Sequence, residues 1–181
     1  MIPAMMLHMF SGKRGFKPHN GDKRDQGSKP SFVGIDPALI QQLSSPSSGA
    51  PLRGAILEVG DNEFEPTVQL SARLEDNEPT SELRQVLASL PEDQCRWVLY
   101  RWQNNKEGEE VKAPVLLLLQ HTPEQAASKQ ALRFNTFHPE LLKRINASKG
   151  QTKLVVVQPN SNGCVEERLQ SITALVSEES A

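Results

Sequence analysis

Apolar residues fall in short runs along this chain, and the spacing within each run changes from helical to alternating to continuous. In "SFVGIDPALIQQL", Ile35, Leu39, Ile40 and Leu43 recur on one side of a short helix. Asp36 suits its N-cap, and Pro37 suits the first turn, where its missing N–H has no partner to lose. "SSPSSGAP" then ends the helix as a loop. "LRGAILEV" and "FEPTVQLSARL" are strand-like and join around Gly60, Asp61 and Asn62 as a hairpin. In the second strand Val68, Leu70 and Ala72 alternate with polar neighbours, the pattern of a half-buried strand.

"EPTSELRQVLASLP" predicts a helix capped by Thr80 or Ser81, with Leu83, Val86, Leu87 and Leu90 inward and Pro91 as its stop. "CRWVLYRWQ" predicts a strand with Trp97, Leu99 and Arg101 on one face and Val98, Tyr100 and Trp102 on the other. "NNKEGEEVK" reads as a polar turn. "APVLLLLQ" is apolar without alternation, as a central strand covered on both faces should be. "HTPEQAASKQALRF" predicts a helix from about Pro123, and "FHPELLKRINAS" a continuation after a break at Phe137 to Pro139, since the residue before a proline is pushed out of helical geometry. "TKLVVVQP" reads as another covered strand. In "NGCVEERLQSITALV" a closing helix turns Val165, Leu169, Ile172 and either Leu175 or Val176 inward. The order α-β-β-α-β-β-α-(α)-β-α packs most economically as an α/β (α+β) domain: a mixed central sheet of about five strands with helices on both faces.

The apolar share of 37% is low for a globular chain, which places part of the sequence outside any core. That part is predicted at residues 1–31, where "SGKRGFKPHNGDKRDQGSKP" has almost nothing to bury and therefore predicts disorder. The folded domain is expected over 32–176, and an acidic tail over 177–181. Lys13, Arg14, Lys17, Lys23, Arg24 and Lys29 make the first tail locally basic. It is either a solvated extension or a tether for acidic phospholipid or an acidic protein surface. All four methionines (Met1, Met5, Met6, Met9) precede this region, so the core is built without them.

"MIPAMMLHMF" lacks the basic flank and small-residue cleavage pattern of a secretory signal. No apolar run approaches the roughly 20 residues that span a membrane. A cytoplasmic monomer is expected. Cys95 and Cys164 form no metal or multi-disulfide framework and are read as buried free thiols.

Candidate chemistry is sparse. His8, His19, His121 and His138 are dispersed, without the i, i+4 spacing of a zinc helix, and a structural or solvent-exposed role is expected for each. Glu107, Glu109 and Glu110 fall at a hairpin tip. Neither a nucleophile elbow nor a glycine-rich phosphate cradle is present. "SNG" before Cys164 could present free N–H groups, or lower the thiol pKa, but an ordinary cap and a packed cysteine explain it. Arg96, Trp97, Arg101 and Trp102 share a strand, yet neighbouring elements are acidic, so nucleic acid is not expected as a partner. The expectation is a non-enzymatic protein with no cofactor, no metal and no catalytic residues.

Several local strings, in order, resemble the actin-depolymerising factor homology family, which includes cofilin, the twinfilins, coactosin and glia maturation factor. "DQCRWVLYRW" resembles the family strand in which Cys or Pro and a basic residue precede alternating aromatics. "VLLLLQHTPEQA" resembles its covered strand and the Ser-Pro-acid turn that opens the long helix, and "KLVVVQPNSNGCVEERLQSI" its last strand and helix. The resemblance spans about Phe32 to Leu175. It implies a fold with the long helix and the domain entry set against a cleft of actin. The implied contact residues are Val33, Gly34, Lys129, Gln130, Leu132 and Arg133. Lys129 and Arg133 lie at i, i+4 and share a face; solvated cations are the plainer reading of them, as core packing is of Leu132 and Phe134. The family's second helix cation is Ala131 here, its Met is Leu132 and its Tyr is Phe134. The basic pair before the covered strand falls on Ala113 and Val115, with only Lys112 nearby, so filament severing is not expected. The resemblance therefore implies an actin-binding regulatory domain of the cytoskeleton. Its partner would be monomeric actin, or an actin-related protein complex, rather than the filament. The alternative is a scaffold of the same fold that binds a non-actin protein.

Overall fold

The computed structural model describes residues 35–45, 52–60, 67–76, 82–103, 114–159 and 163–179. The elements are α1 (Pro37–Ser44), β1 (Leu52–Val59), β2 (Val68–Glu75), α2 (Leu83–Ser89), β3 (Arg96–Trp102), β4 (Val115–His121), α3 (Ser128–Ser148), β5 (Lys153–Val157) and α4 (Val165–Glu179). The basic tail, Thr80, Ser81 and the hairpin-tip glutamates lie outside the described residues. The final helix runs to Glu179, past the expected domain end at 176.

One sheet has the order β2-β1-β3-β4-β5. Its pairs are antiparallel except β4 with β5, which is parallel. A parallel neighbour cannot be reached by a tight turn, so the chain crosses over through α3. The expected mixed five-stranded α/β architecture is therefore the observed one. Alternation along β3 divides the core. Trp97 and Leu99 join Leu116, Leu118, Phe134, Leu141 and Ile145 beneath α1 and α3. Val98 and Tyr100 join Leu117, Leu119, Ile172 and Val176 beneath α2 and α4. Leu116 to Leu119 are fully buried, as their unbroken apolar run predicts for a strand covered on both sides.

Three local expectations change. First, α3 is a single 21-residue helix that starts at Ser128 rather than Pro123 and continues through Pro139. Residues before it form a turn in which the Ala126 N–H donates to the Pro123 carbonyl at 3.1 Å. An interior proline costs about 3 kcal/mol. Phe134, Phe137, Leu141 and Ile145 are buried on both sides of it, and each buried large side chain returns about 1.5–3 kcal/mol, so burial holds the helix continuous. Second, β5 is an edge strand and is only partly covered on one face: Val155 and Val157 are buried under α2 and α4, and on the other side Leu154 is half-buried against the layer under α1 and α3 while Val156 is 44% exposed. Third, β2 does not alternate evenly. Ile56 pairs with Ala72 and Leu57 with Leu70, which leaves Ser71 as an extra residue. This bulge reverses the facing of the strand, so Val68 packs in one core layer, Leu74 in the other, and Leu70 is partly exposed.

The N-cap expected at Asp36 is present, its carboxylate accepting the Ala38 N–H at 2.9 Å. The helix α2 has Glu82 at its N-cap position and no side-chain cap bond. In α4 Val176 is buried and Leu175 exposed. Gly54 is required by contact, because a Cβ there would lie 2.9 Å from both the Leu74 side chain and the Leu99 carbonyl.

Candidate functional site

The residues that the sequence singles out on α3 divide between its two sides. Successive residues rotate by about 100°, so Lys129, Leu132 and Arg133 lie on one face and Gln130, Phe134, Phe137 and Leu141 on another. The inner face is held by Trp97, whose ring stacks on Phe134 at 3.8 Å between centroids and 15° between planes. The Trp97 indole N–H donates to His138 Nδ1 at 3.2 Å. His138 is thus an acceptor at this nitrogen, and burial lowers its pKa from the ordinary value. Core packing is the outcome for Phe134, which is fully buried. Ala131 is half-buried and packs against the same cluster.

Gln130 belongs to the junction between α3 and the sheet. Its side-chain carbonyl accepts the Cys95 N–H at 3.4 Å, which ties the first turn of α3 to the start of β3. Gln120 reinforces the tie further along by donating to Asn135 at 3.3 Å. No spacing rule connects residues 95 and 130 in the sequence; only the packing of α3 on the sheet brings them together. Cys95 is buried, and burial raises its thiol pKa. Cys164, expected to be buried, is exposed instead: it precedes the first turn of α4 and lies outside the inward stripe of that helix.

The outer face is different in kind. Lys129 is exposed, Arg133 is half-buried, and Leu132 is 70% exposed. Among the described residues Leu132 is the most exposed of the large apolar side chains. The Thr136 hydroxyl donates to the Leu132 carbonyl at 2.8 Å, one turn along the same face. Val33 and Gly34, the other two residues expected here, lie outside the described residues. The surface therefore combines an apolar knob with two cationic neighbours on a helix whose other side is locked to the core. Such a surface can dock against an acidic, partly apolar partner; it offers no arrangement for bond-making chemistry.

Among the described residues no three His, Cys, Asp or Glu side chains cluster to hold a metal ion, and no helix is long and apolar enough to cross a membrane. Ion pairs elsewhere tie elements together. Arg96 pairs with Glu58 at 2.7 Å across β3 and β1, and Arg101, 8% exposed, pairs with Asp76 at 3.0 Å. Arg53 shares Asp76 at 3.5 Å and sits 5.9 Å from the Tyr100 ring centre. Arg84 bridges α2 to Glu166 of α4. Arg96 and Arg101 are thus engaged in ion pairs within the fold.

Comparison with known proteins places the fold. A cofilin from Streptomyces griseoflavus superposes with a TM-score of 0.52 at 19% identity, covering 77% of this chain and 96% of its own. An actin depolymerization factor 2 from Plasmodium berghei gives 0.55 at 11% identity, with 81% and 96% covered. Coactosin from Entamoeba histolytica gives 0.55 at 13% identity, with 82% and 94% covered. At these identities the likeness speaks for the fold alone. No curated protein sequence matches the chain. Residues 32–152 match the family described as cofilin/tropomyosin-type actin-binding protein. That span holds α1 to α3 and most of the sheet, and the chain belongs to this family of actin-binding proteins.

Proposed function

We propose that this protein is a cytoskeletal regulator that binds monomeric actin through the outer face of the first two turns of α3. The observation that carries the reading is Leu132, 70% exposed between Lys129 and Arg133 on a helix whose opposite side is fixed to the sheet. A large apolar side chain held in water and flanked by cations is suited to become a small hot spot on an acidic partner. Gln130 fixes the angle of the first turn through Cys95. Val33 and Gly34 complete the contact at the domain entry. The basic residues between Lys13 and Lys29 add long-range attraction to acidic partners, phospholipid headgroups among them.

Monomer is favoured over filament by the start of β4. Many cofilins carry a basic pair there for the filament; here the positions are Ala113 and Val115, and Val115 packs against the core layer under α2 and α4. Binding of fluorescently labelled actin monomer, set beside cosedimentation with filaments, tests the reading. Saturable monomer binding that Lys129→Ala/Arg133→Ala weakens by about tenfold or more is expected. Wild-type protein that binds neither monomer nor filament would overturn it and leave the scaffold for a non-actin partner as the better account.

A further inference from the structure

The two edges of the sheet differ in how they are closed to further pairing. Among the described residues β2 and β5 each have a neighbouring strand on one side only. β2 carries the bulge at Ser71 and the exposed charges of Arg73 and Glu75, features that discourage another strand from adding. β5 lacks them. Its register with β4 is unbroken from Lys153 to Val157, and after Lys153 every residue is apolar. Val156 is 44% exposed, and Leu154, on the same face, is half-buried. A regular edge with an exposed apolar side chain is a template for one more strand.

A segment suited to that edge stands in the sequence ahead of α1. Residues 1–10 read "MIPAMMLHMF" and lie outside the described residues. After Pro3, residues 4–10 contain no proline, no glycine, no lysine or arginine and no carboxylate. In an extended chain Met5, Leu7 and Met9 share one face. That face is wholly apolar, as Leu154 and Val156 require of a neighbour. Methionine is unbranched and adapts to an uneven apolar surface. The stretch that follows, "SGKRGFKPHNGDKRDQGSKP", has no comparable face.

Reach and tethering choose the occupant. The helix α1 runs from Pro37 to Ser44, about 12 Å. The Ser44 carbonyl accepts the Thr152 hydroxyl at 2.9 Å, immediately before β5. The five residues of β5 add about 17 Å, so the whole strand lies within about 35 Å of Ile35. Residues 11–34 span about 27 Å on average as a coil and up to about 80 Å when extended. A tether of that length supplies an effective concentration on the order of a millimolar, which a second copy of the chain matches only in concentrated solution.

We propose that residues 4–10 of this chain add to its own sheet as a further strand along the outer edge of β5, with Met5, Leu7 and Met9 covering Leu154 and Val156. The site is separate from the outer face of α3, and its test does not require actin. Amide hydrogen exchange and methyl cross-peaks of the full chain are followed by NMR at a low and a high protein concentration, with a synthetic peptide of residues 1–10 as reference. The amides of residues 5–9 should exchange about tenfold or more slowly than in the peptide, with cross-peaks from the Met5 or Met9 methyl to Val156. Both should be independent of concentration. Leu7→Pro removes a ladder N–H and should abolish this protection. It should also speed exchange at residues 155–157 and leave residues 129–133 of α3 unchanged. Val156→Asp should weaken the same protection from the sheet side; should that variant fail to fold, the Leu7→Pro result decides. Exchange of residues 5–9 at the rate of the peptide would overturn the proposal, as would protection of residues 155–157 that Leu7→Pro leaves intact. Cross-peaks found only between differently labelled chains would assign the edge to a second copy and overturn it too.

Discussion

The two sides of α3 follow opposite rules although they alternate along the same fourteen-letter stretch, "HTPEQAASKQALRF". On the inner side Phe134 is sealed against Trp97, and Gln130 is held by Cys95. On the outer side Leu132 stands in water with Lys129 and Arg133. The inner side has its partners in the fold already, so its changes should be felt as stability. The outer side is apolar where folding alone gives no reason for it, so its changes should be felt as affinity. Separating these two readouts is the sharpest way to test the division.

The largest effect belongs to the inner side. Phe134→Ala removes a fully buried ring and its stack on Trp97, and should destabilise the domain by about 3–5 kcal/mol in denaturant unfolding. A loss under about 1 kcal/mol would mean that Phe134 is not held as described. Next comes Lys129→Ala/Arg133→Ala. Its unfolding midpoint should stay within about 0.5 kcal/mol of wild type, while actin-monomer binding falls by about tenfold or more. Equal losses in both readouts would erase the contrast between the faces.

Leu132→Ala is a smaller and cleaner probe. The side chain is 70% exposed, so stability should barely move, whereas affinity should drop by about 1–2 kcal/mol if the leucine is the knob. Pro139→Ala asks how firmly the inner side holds the helix. Because burial on both sides keeps α3 continuous, restoring the N–H should add about 1 kcal/mol of stability and leave monomer binding unchanged.

Acidification gives the smallest effect. His121 and His138 both have pKa values lowered by burial. Below about pH 6.5 the unfolded chain takes up protons that these two native side chains still refuse. Stability from this source is complete above that pH and declines as the pH falls toward the folded values. Replacing His138 with Gln should flatten part of the decline in a pH series of unfolding curves. A slope that is unchanged would assign the decline to other groups.

Much of this was legible before folding, and the reasons are local. Continuous apolar letters in "VLLLLQ" allow no solvent face, so β4 had to be covered twice. Alternation in "RWVLYRW" separated Trp97 and Leu99 from Val98 and Tyr100, and the two core layers keep that division. Asp36 and Pro37 marked the start of α1 through side-chain and backbone chemistry that needs no distant partner. The family likeness was readable because these local strings follow one another in a fixed order.

Other features depended on neighbours that no window of sequence contains. Proline chemistry argued for a break at Pro139, and long-range burial of Phe137 and Leu141 overrode it. "KLVVV" looks as buried as "VLLLL", but sheet order put one at the edge and the other inside, and only position distinguishes them. The extra residue Ser71 reversed the facing of β2 through its register with β1. Gln130 looked like a surface residue until the start of β3 arrived beside it. His121 was one dispersed histidine until the Pro91 carbonyl came within 2.8 Å of its Nε2. Periodicity and capping are properties of a few consecutive residues, so the sequence by itself determined the elements and their faces. Edge position, bulge register and the partners of buried polar atoms are distances between remote residues, and only the tertiary structure decided them.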